Sequence, residues 1–322
     1  MRKFLIALAA VAVVSCSTEL TIDAPKGAVI EFDNAFVNNS TSTRAAVDIT
    51  KDNIEDFGVF GWVEASNNQG QIFNNTPVTK QGGKFVYDTA QYWIGGAQYY
   101  FAALAPKDAA WVYSPINAKN GTIEFNNAVA AAQQDVVFDF VAPERTPESI
   151  TSKPRAVAFN FHHILSRVKF SFKNGFASTA NITLKVTDVV ITNAHARGTL
   201  DLNNGQLAAA WNAVDTMEAD FGDTTVENNA ENIMDSGATA VSSHLYLIPA
   251  KATYNVRFNV TLYQAGVELG HYNRSATITV DMERGKSYEF KATLDQNNTA
   301  DHGALNPIEF IVGNVGSWNP NN

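Results

Sequence analysis

Short runs of about four to eight residues rich in Val, Ile, Phe, Tyr and Thr recur along this chain, separated by clusters of Asn, Gly, Asp and Pro. Branched and aromatic side chains suit a pleated, half-buried surface, and the intervening types supply the backbone angles of turns. The pattern predicts an all-β chain with little helix. The expected strands are Phe57–Val63, Tyr99–Leu104, Val136–Val141, Val168–Phe172, Ile182–Val186, His244–Ile248, Val256–Leu262, Ala276–Val280 and Ser287–Leu294. Asn203-Asn204-Gly205 reads as a hairpin turn, because Asn and Gly accept positive φ. Asn126–Gln134 reads equally well as one short helix.

At 322 residues the chain has the length of about two domains of ~150 residues. The stretch from Ala142-Pro143-Glu144-Arg145-Thr146-Pro147 to Lys153-Pro154-Arg155 has three prolines and little apolar content. Proline cannot donate to a ladder, so this stretch is expected to run outside both cores. The division becomes 45–150 and 151–322, each half with enough strands for a two-sheet sandwich.

A net charge of −9, from 23 basic and 32 acidic residues, disfavours a nucleic-acid partner, since little here would displace phosphate counterions. The 20 Phe, 10 Tyr and 5 Trp argue against disorder. One cysteine excludes disulfides and cysteine-cluster metal sites within one chain. That residue, Cys16, follows a basic Arg2-Lys3, an apolar run from Phe4 to Val14 too short to span a bilayer, and Val13-Val14-Ser15. Residues 1–16 therefore read as a lipoprotein signal, cleaved before a cysteine that takes lipid on its sulfur. Attachment to a membrane is then expected through lipid alone.

Motifs for chemistry are sparse. The chain has no His-Glu-x-x-His, no Gly-x-Ser-x-Gly and no phosphate-cradling glycine loop. The expectation is a protein that is not an enzyme and holds no cofactor or metal. His162 and His163 are adjacent on an expected strand and point to opposite faces, so they do not share an ion; His163 joins Phe159, Phe161 and Leu165 as a hydrogen-bonded core histidine. The apolar parity shifts between Leu165 and Val168, which predicts a bulge or sharp bend.

The two ends carry more information. In Ala28-Val29-Ile30-Glu31-Phe32-Asp33, Ile30 and Phe32 share one face and the acidic residues the other, as in an edge strand. The polar run Asn38–Ala46 then contains Arg44 before Ala45. It reads either as a loop open to a trypsin-like protease or as a tether with an incidental arginine. At the far end, Gly285–Leu294 looks like a closing strand, yet Pro307–Val312 and then Gly313–Trp318 follow. Ile308, Phe310 and Val312 alternate onto one face. The segment is either a donor strand for another molecule's groove or an edge strand of its own domain.

Taken in order, the lipobox at Cys16, Thr43-Arg44-Ala45, Phe57-Gly58-Val59-Phe60-Gly61-Trp62, Tyr92-Trp93, Tyr99–Pro106, Phe161–Val168 and Val315-Gly316-Ser317-Trp318 resemble the fimbrillin-like subunits of type V pili from Gram-negative anaerobes. The resemblance covers nearly the whole chain. It implies two transthyretin-like Greek-key β-sandwiches in tandem, export through the periplasm as an outer-membrane lipoprotein, and a propeptide strand within 17–44 removed by an arginine-specific protease between Arg44 and Ala45. It further implies a donor strand near 305–318, with Ile308, Phe310, Val312 and Trp318, that enters the vacated groove of an identical or related subunit in a cell-surface fimbrium. A host or bacterial surface receptor is the implied adhesion partner. Two rival readings stand beside it. A glycan-binding lipoprotein of a polysaccharide-uptake system would expose Trp62, Trp93 or Trp111 as a stacking platform; a secreted hydrolase would gather acidic or nucleophilic residues in a cleft.

Overall fold

The computed structural model describes residues 28–33, 36–37, 48–66, 68–126, 134–299 and 306–317. In chain order the strands are β1 (Phe36–Val37), β2 (Asp56–Ala65), β3 (Asn68–Gln81), β4 (Lys84–Val86), β5 (Gln98–Ala105), β6 (Trp111–Pro115), β7 (Gly121–Asn126), β8 (Val137–Val141), β9 (Asn160–His163) and β10 (Ser166–Asn174). They continue with β11 (Ile182–Asn203), β12 (Gln206–Leu207), β13 (Asn212–Gly222), β14 (Thr225–Val226), β15 (Thr239–Val241), β16 (Leu245–Leu247), β17 (Lys251–Gln264), β18 (Val267–Asp281), β19 (Lys286–Leu294) and β20 (Ile311–Ser317). Among the described residues the helical content is one 3-10 turn, Ser178–Ala180. Every strand expected from sequence coincides with one of these. The alternative helix at 126–134 falls almost wholly outside the described residues.

Three sheets form. The first runs β1-β9-β8-β5-β2-β3-β4, antiparallel except where β1 lies alongside β9. Its central strands β2 and β5 are buried nearly from end to end, which explains why Phe57–Val63 and Tyr99–Ala105 are continuous rather than alternating apolar runs. Phe57, Val59, Val63, Phe101 and Ala103 face one core; Phe60, Trp62, Tyr100, Ala102 and Leu104 face another. Gly61 lies on the first of these faces, where a Cβ would come within 2.7 Å of the Phe73 ring.

The second sheet runs β14-β15-β10-β19-β20, with β16 also paired to β10. The third runs β18-β17-β11-β7-β6, with β12 and β13 paired to β11 as well. A third core lies between these two sheets and includes Phe170, Phe172, Val186, Phe258 and Phe290. At the β11–β12 hairpin, Leu202 opposes Leu207, and Asn204 and Gly205 take the positive φ values that the turn requires.

The parity shift near Leu165 has a definite cause: β9 belongs to the first sheet and β10 to the second, so the chain changes sheets between His163 and Ser166. The proline-rich stretch forms no ladder, as expected, but it is fastened rather than loose. Thr146 is buried, Ala97 N–H donates to its Oγ1 at 2.9 Å, and Thr146 N–H donates to the Ala97 carbonyl at 2.9 Å. Pairing also crosses this stretch in both directions. β9 joins β8, and β7 pairs with β11 from Arg197↔Asn126 to Leu202↔Gly121.

Candidate functional site

The candidate site is a trough on the first sheet, filled by the chain's own N-terminal segment. Residues 28–33 lie between two backbones. On one side Ile30 N–H donates to the Gln91 carbonyl at 2.8 Å and Trp93 N–H donates to the Ala28 carbonyl at 2.9 Å. On the other, Val157 N–H donates to the Glu31 carbonyl at 2.8 Å and Asp33 N–H donates to the Val157 carbonyl at 2.9 Å. The edge strand expected here is therefore an inserted one, antiparallel to the 85–92 backbone and parallel to Val157. β1 extends it alongside β9, with Phe36 opposite Asn160 and Val37 opposite Phe161.

The inward pair is the one that alternation selects. Ile30 is fully buried, and the Phe32 ring meets Phe57, Phe73, Tyr87, Phe101 and Phe159 at centroid distances of 5.6–6.2 Å. Each side chain contributes roughly 1.5–3 kcal/mol by leaving water. Tyr87 Oη donates to the Ile30 carbonyl at 2.6 Å. Burial pushes the Tyr87 phenol up, opposed by the hydrogen bond from Gln91 N–H and assisted by the charge of Glu31, so it remains a donor. Glu31 points outward to Lys153, Oε1 to Nζ 2.5 Å. Trp93 packs edge-on to Tyr99, and its buried Nε1 has no hydrogen-bond partner among the described residues.

The chain re-enters the described structure at Asp48, which is buried and held firmly. Its carboxylate pairs with Arg167 and accepts from Tyr246 Oη at 2.7 Å. The next residue, Ile49, donates its N–H to Asp135 Oδ2 at 2.8 Å, and Asp135 Oδ1 lies 2.9 Å from His163 Nδ1. Burial, with the charges of Asp135 and Asp48, pushes the Tyr246 phenol up and keeps it a donor. His163 is thus the hydrogen-bonded core histidine expected from sequence, while His162 faces solvent on the opposite side. Among the described residues no group of three or more His, Cys, Asp or Glu is placed to hold a metal ion, and no helix is long and apolar enough to cross a membrane.

At the other end β20 pairs with β19 of its own chain, with Phe290 opposite Val312 and Lys291 opposite Ile311. Ile308 is buried; the half-buried Phe310 meets Phe170, Phe172 and Phe258 at 5.4, 5.7 and 6.2 Å, and Val312 packs against the same core. The expected inward face is therefore formed, but the edge strand of the second sheet begins only at Ile311, and Ile308 and Phe310 reach the core from the unladdered stretch just before it. Cys16, Arg44, Ala45 and Trp318 lie outside the described residues. Trp62, Trp93 and Trp111 are all buried, which removes the exposed stacking platform that the glycan-binding reading requires.

Two features escaped sequence reasoning. Asp48 and Asp135 find their partners 119 and 28 positions away, and nothing local marks them. The other was legible: the tripeptide Ile-Glu-Phe stands at 30–32, 123–125 and 308–310. Each time Ile and Phe turn inward and Glu faces solvent.

Residues 43–318 match the model of a family described as fimbrillin-like. No curated protein is similar enough in sequence to match. Among solved structures, a proposed cell adhesion protein from Bacteroides ovatus is 17% identical, with 91% of this chain and 98% of that chain covered at a TM-score of 0.50. A second such protein, from Bacteroides uniformis, is 14% identical, with 91% and 99% covered at 0.47. The fimbrial anchor protein Mfa2 from Porphyromonas gingivalis is 8% identical, with 87% and 95% covered at 0.38. The Bacteroides ovatus likeness supports the all-β fold and nothing finer.

Proposed function

Because the chain belongs to the fimbrillin-like family, we propose that it is a structural subunit of a cell-surface pilus serving adhesion, held unassembled by its own N-terminal strand. The precursor is exported through the periplasm as an outer-membrane lipoprotein carrying lipid on Cys16. An arginine-specific protease cuts between Arg44 and Ala45, the strand at 28–37 leaves, and the C-terminal strand of another subunit, with Ile308, Phe310 and Val312 inward and Trp318 beyond them, takes its place. The two-domain reading, 45–150 and 151–322, each a transthyretin-like sandwich, belongs to this proposal, with the β7–β11 and β8–β9 ladders joining the halves across the boundary. The joint between one subunit's end and another's trough is heterologous and does not close, so it builds a filament.

The observation that carries the reading is the trough itself: a segment N-terminal to Arg44 fills an aromatic slot through two inward side chains and backbone bonds to both neighbours. Its removal exposes apolar surface and unpaired strand edges that only another strand covers. The Asp48 network supports the same division, since it retains the chain just beyond Ala45 when everything before it is released. Net charge is not the lever. Residues 1–44 carry Arg2, Lys3, Lys26 and Arg44 against Glu19, Asp23, Glu31 and Asp33, so their loss leaves the balance at −9.

The test is Arg44→Ala in cells. Processing and filament formation are expected to fail together. Filaments of normal length from this variant contradict the mechanism.

A further inference from the structure

The occupant of the trough and the C-terminal strand share more than alternation. Ile30-Glu31-Phe32 and Ile308-Glu309-Phe310 are the same three residues in the same direction, and in both Ile and Phe face a core while Glu faces solvent. The third copy, Ile123-Glu124-Phe125, lies in β7, hydrogen-bonded to β6 on one edge and β11 on the other, so it is not released without dismantling the third sheet. The copy at 308–310 adjoins an edge strand that, among the described residues, pairs only to β19. We infer that a second copy of this chain docks Ile308-Glu309-Phe310 in the register now held by Ile30-Glu31-Phe32, which brings Glu309 to Lys153 of the accepting copy. This inference rests on the donor-strand reading proposed above.

The backbone accepts this register. Residue 28 offers its carbonyl and residue 30 its N–H to the 91–93 backbone, so the N–H of the intervening residue points away from it. Val29 is replaced there by Pro307, which has no N–H to offer and forfeits nothing on that side. On the opposite side, the Glu309 carbonyl and the Ile311 N–H stand where the Glu31 carbonyl and the Asp33 N–H meet Val157. The side chains also discriminate. Moving the donor by one residue turns its apolar face to water. A shift of two in one direction sets Val312 in the five-ring nest of Phe32 and Ile311 opposite Lys153. The same shift in the other direction sets Ile308 in the nest, Asn306 in the Ile30 slot and Pro307 opposite Lys153. Only the Ile-Glu-Phe register gives Lys153 a carboxylate.

A zero-length carbodiimide cross-link reads the register directly. The reagent activates the Glu309 carboxylate, the Lys153 amine displaces it as the urea, and an isopeptide bond forms with net loss of water. Full-length chain, half of it isotopically heavy, is treated with an arginine-specific protease, and the resulting polymers are cross-linked and digested. Mixed heavy–light peptides joining Lys153 to Glu309 are expected in the polymers and absent from those of Glu309→Gln; uncut precursor should instead link Lys153 to Glu31 within one chain. Polymers that depend on residues 306–317 but lack the Lys153–Glu309 peptide overturn the register and leave the donor reading standing. Cut chain that forms no such polymers overturns the donor reading itself.

Discussion

The two end strands are built alike and held differently. The segment at 28–33 lies between two backbones, with Phe32 surrounded by five aromatic rings. Among the described residues β20 has one partner, β19, and leaves Ile311 and Val315 in solvent, while Phe310, just before it, is covered only in part. A strand bonded on both sides separates only when two sets of hydrogen bonds and an aromatic nest are given up, whereas an edge strand breaks one ladder. The difference fits the opposite roles proposed for the two ends, in which the N-terminal strand stays until the chain is cut and the C-terminal strand detaches while still covalently attached to its subunit.

The largest test removes the weaker strand altogether. Deleting residues 305–322 is expected to leave a processed subunit that accepts a donor but gives none, detected by light scattering as a chain terminator when mixed with wild type. The same deletion strips Ile308 and Phe310 from the core between the second and third sheets and lowers stability by about 3–5 kcal/mol in thermal melts. An unchanged polymer length with that deletion returns the segment to a passive tail.

Next in size are the two phenylalanines. Phe32→Ala is expected to cost the precursor about 3–5 kcal/mol, and Phe310→Ala less, because Phe310 is only partly covered. Protease treatment sharpens the contrast: the Phe32 effect disappears with the propeptide, and the Phe310 effect persists in monomeric cut chain. Equal costs before and after cutting break the comparison.

A smaller effect lies under the first strand. Asp139 accepts from Asn160 N–H at 2.7 Å beside the β1–β9 pairing, and burial raises its pKa from 3.8 to about 6 against that hydrogen bond. The folded chain therefore binds this proton more tightly than the unfolded chain, so its contribution is full below about pH 4 and is lost as pH rises through about 6. Asp139→Asn should gain on wild type in melting temperature across that window. A constant difference across it contradicts the assignment. Smallest of all, Glu31→Gln should change precursor stability by less than about 1 kcal/mol, since both partners of the Lys153 pair are about half exposed.

Much of the strand pattern was legible because β2 and β5 are apolar without interruption and the segments 28–33 and 307–312 alternate, and those periods are local properties of the chain. The inward pairs Ile30/Phe32 and Ile308/Phe310 were legible for the same reason. What the trough is made of was not: residues 85–93 and 157–161 are far apart in sequence and meet only through the fold. The polar network at Asp48 was hidden similarly, since a lone Asp after a polar loop looks solvated until Arg167 and Tyr246 arrive from the second half. The pairing of β7 with β11 was equally non-local, and it ties together halves that proline content alone would separate. A single melting transition for the whole chain is the expected consequence.

The central claim is that the segments at 28–33 and 36–37 occupy a place that another subunit takes over, and the intact mass of subunits released from washed filaments tests it most directly. Chains beginning at Ala45, without acyl groups and without residues 28–37, are the expected result. Filament subunits that still carry residues 28–37 contradict it, because the trough is then still filled from within.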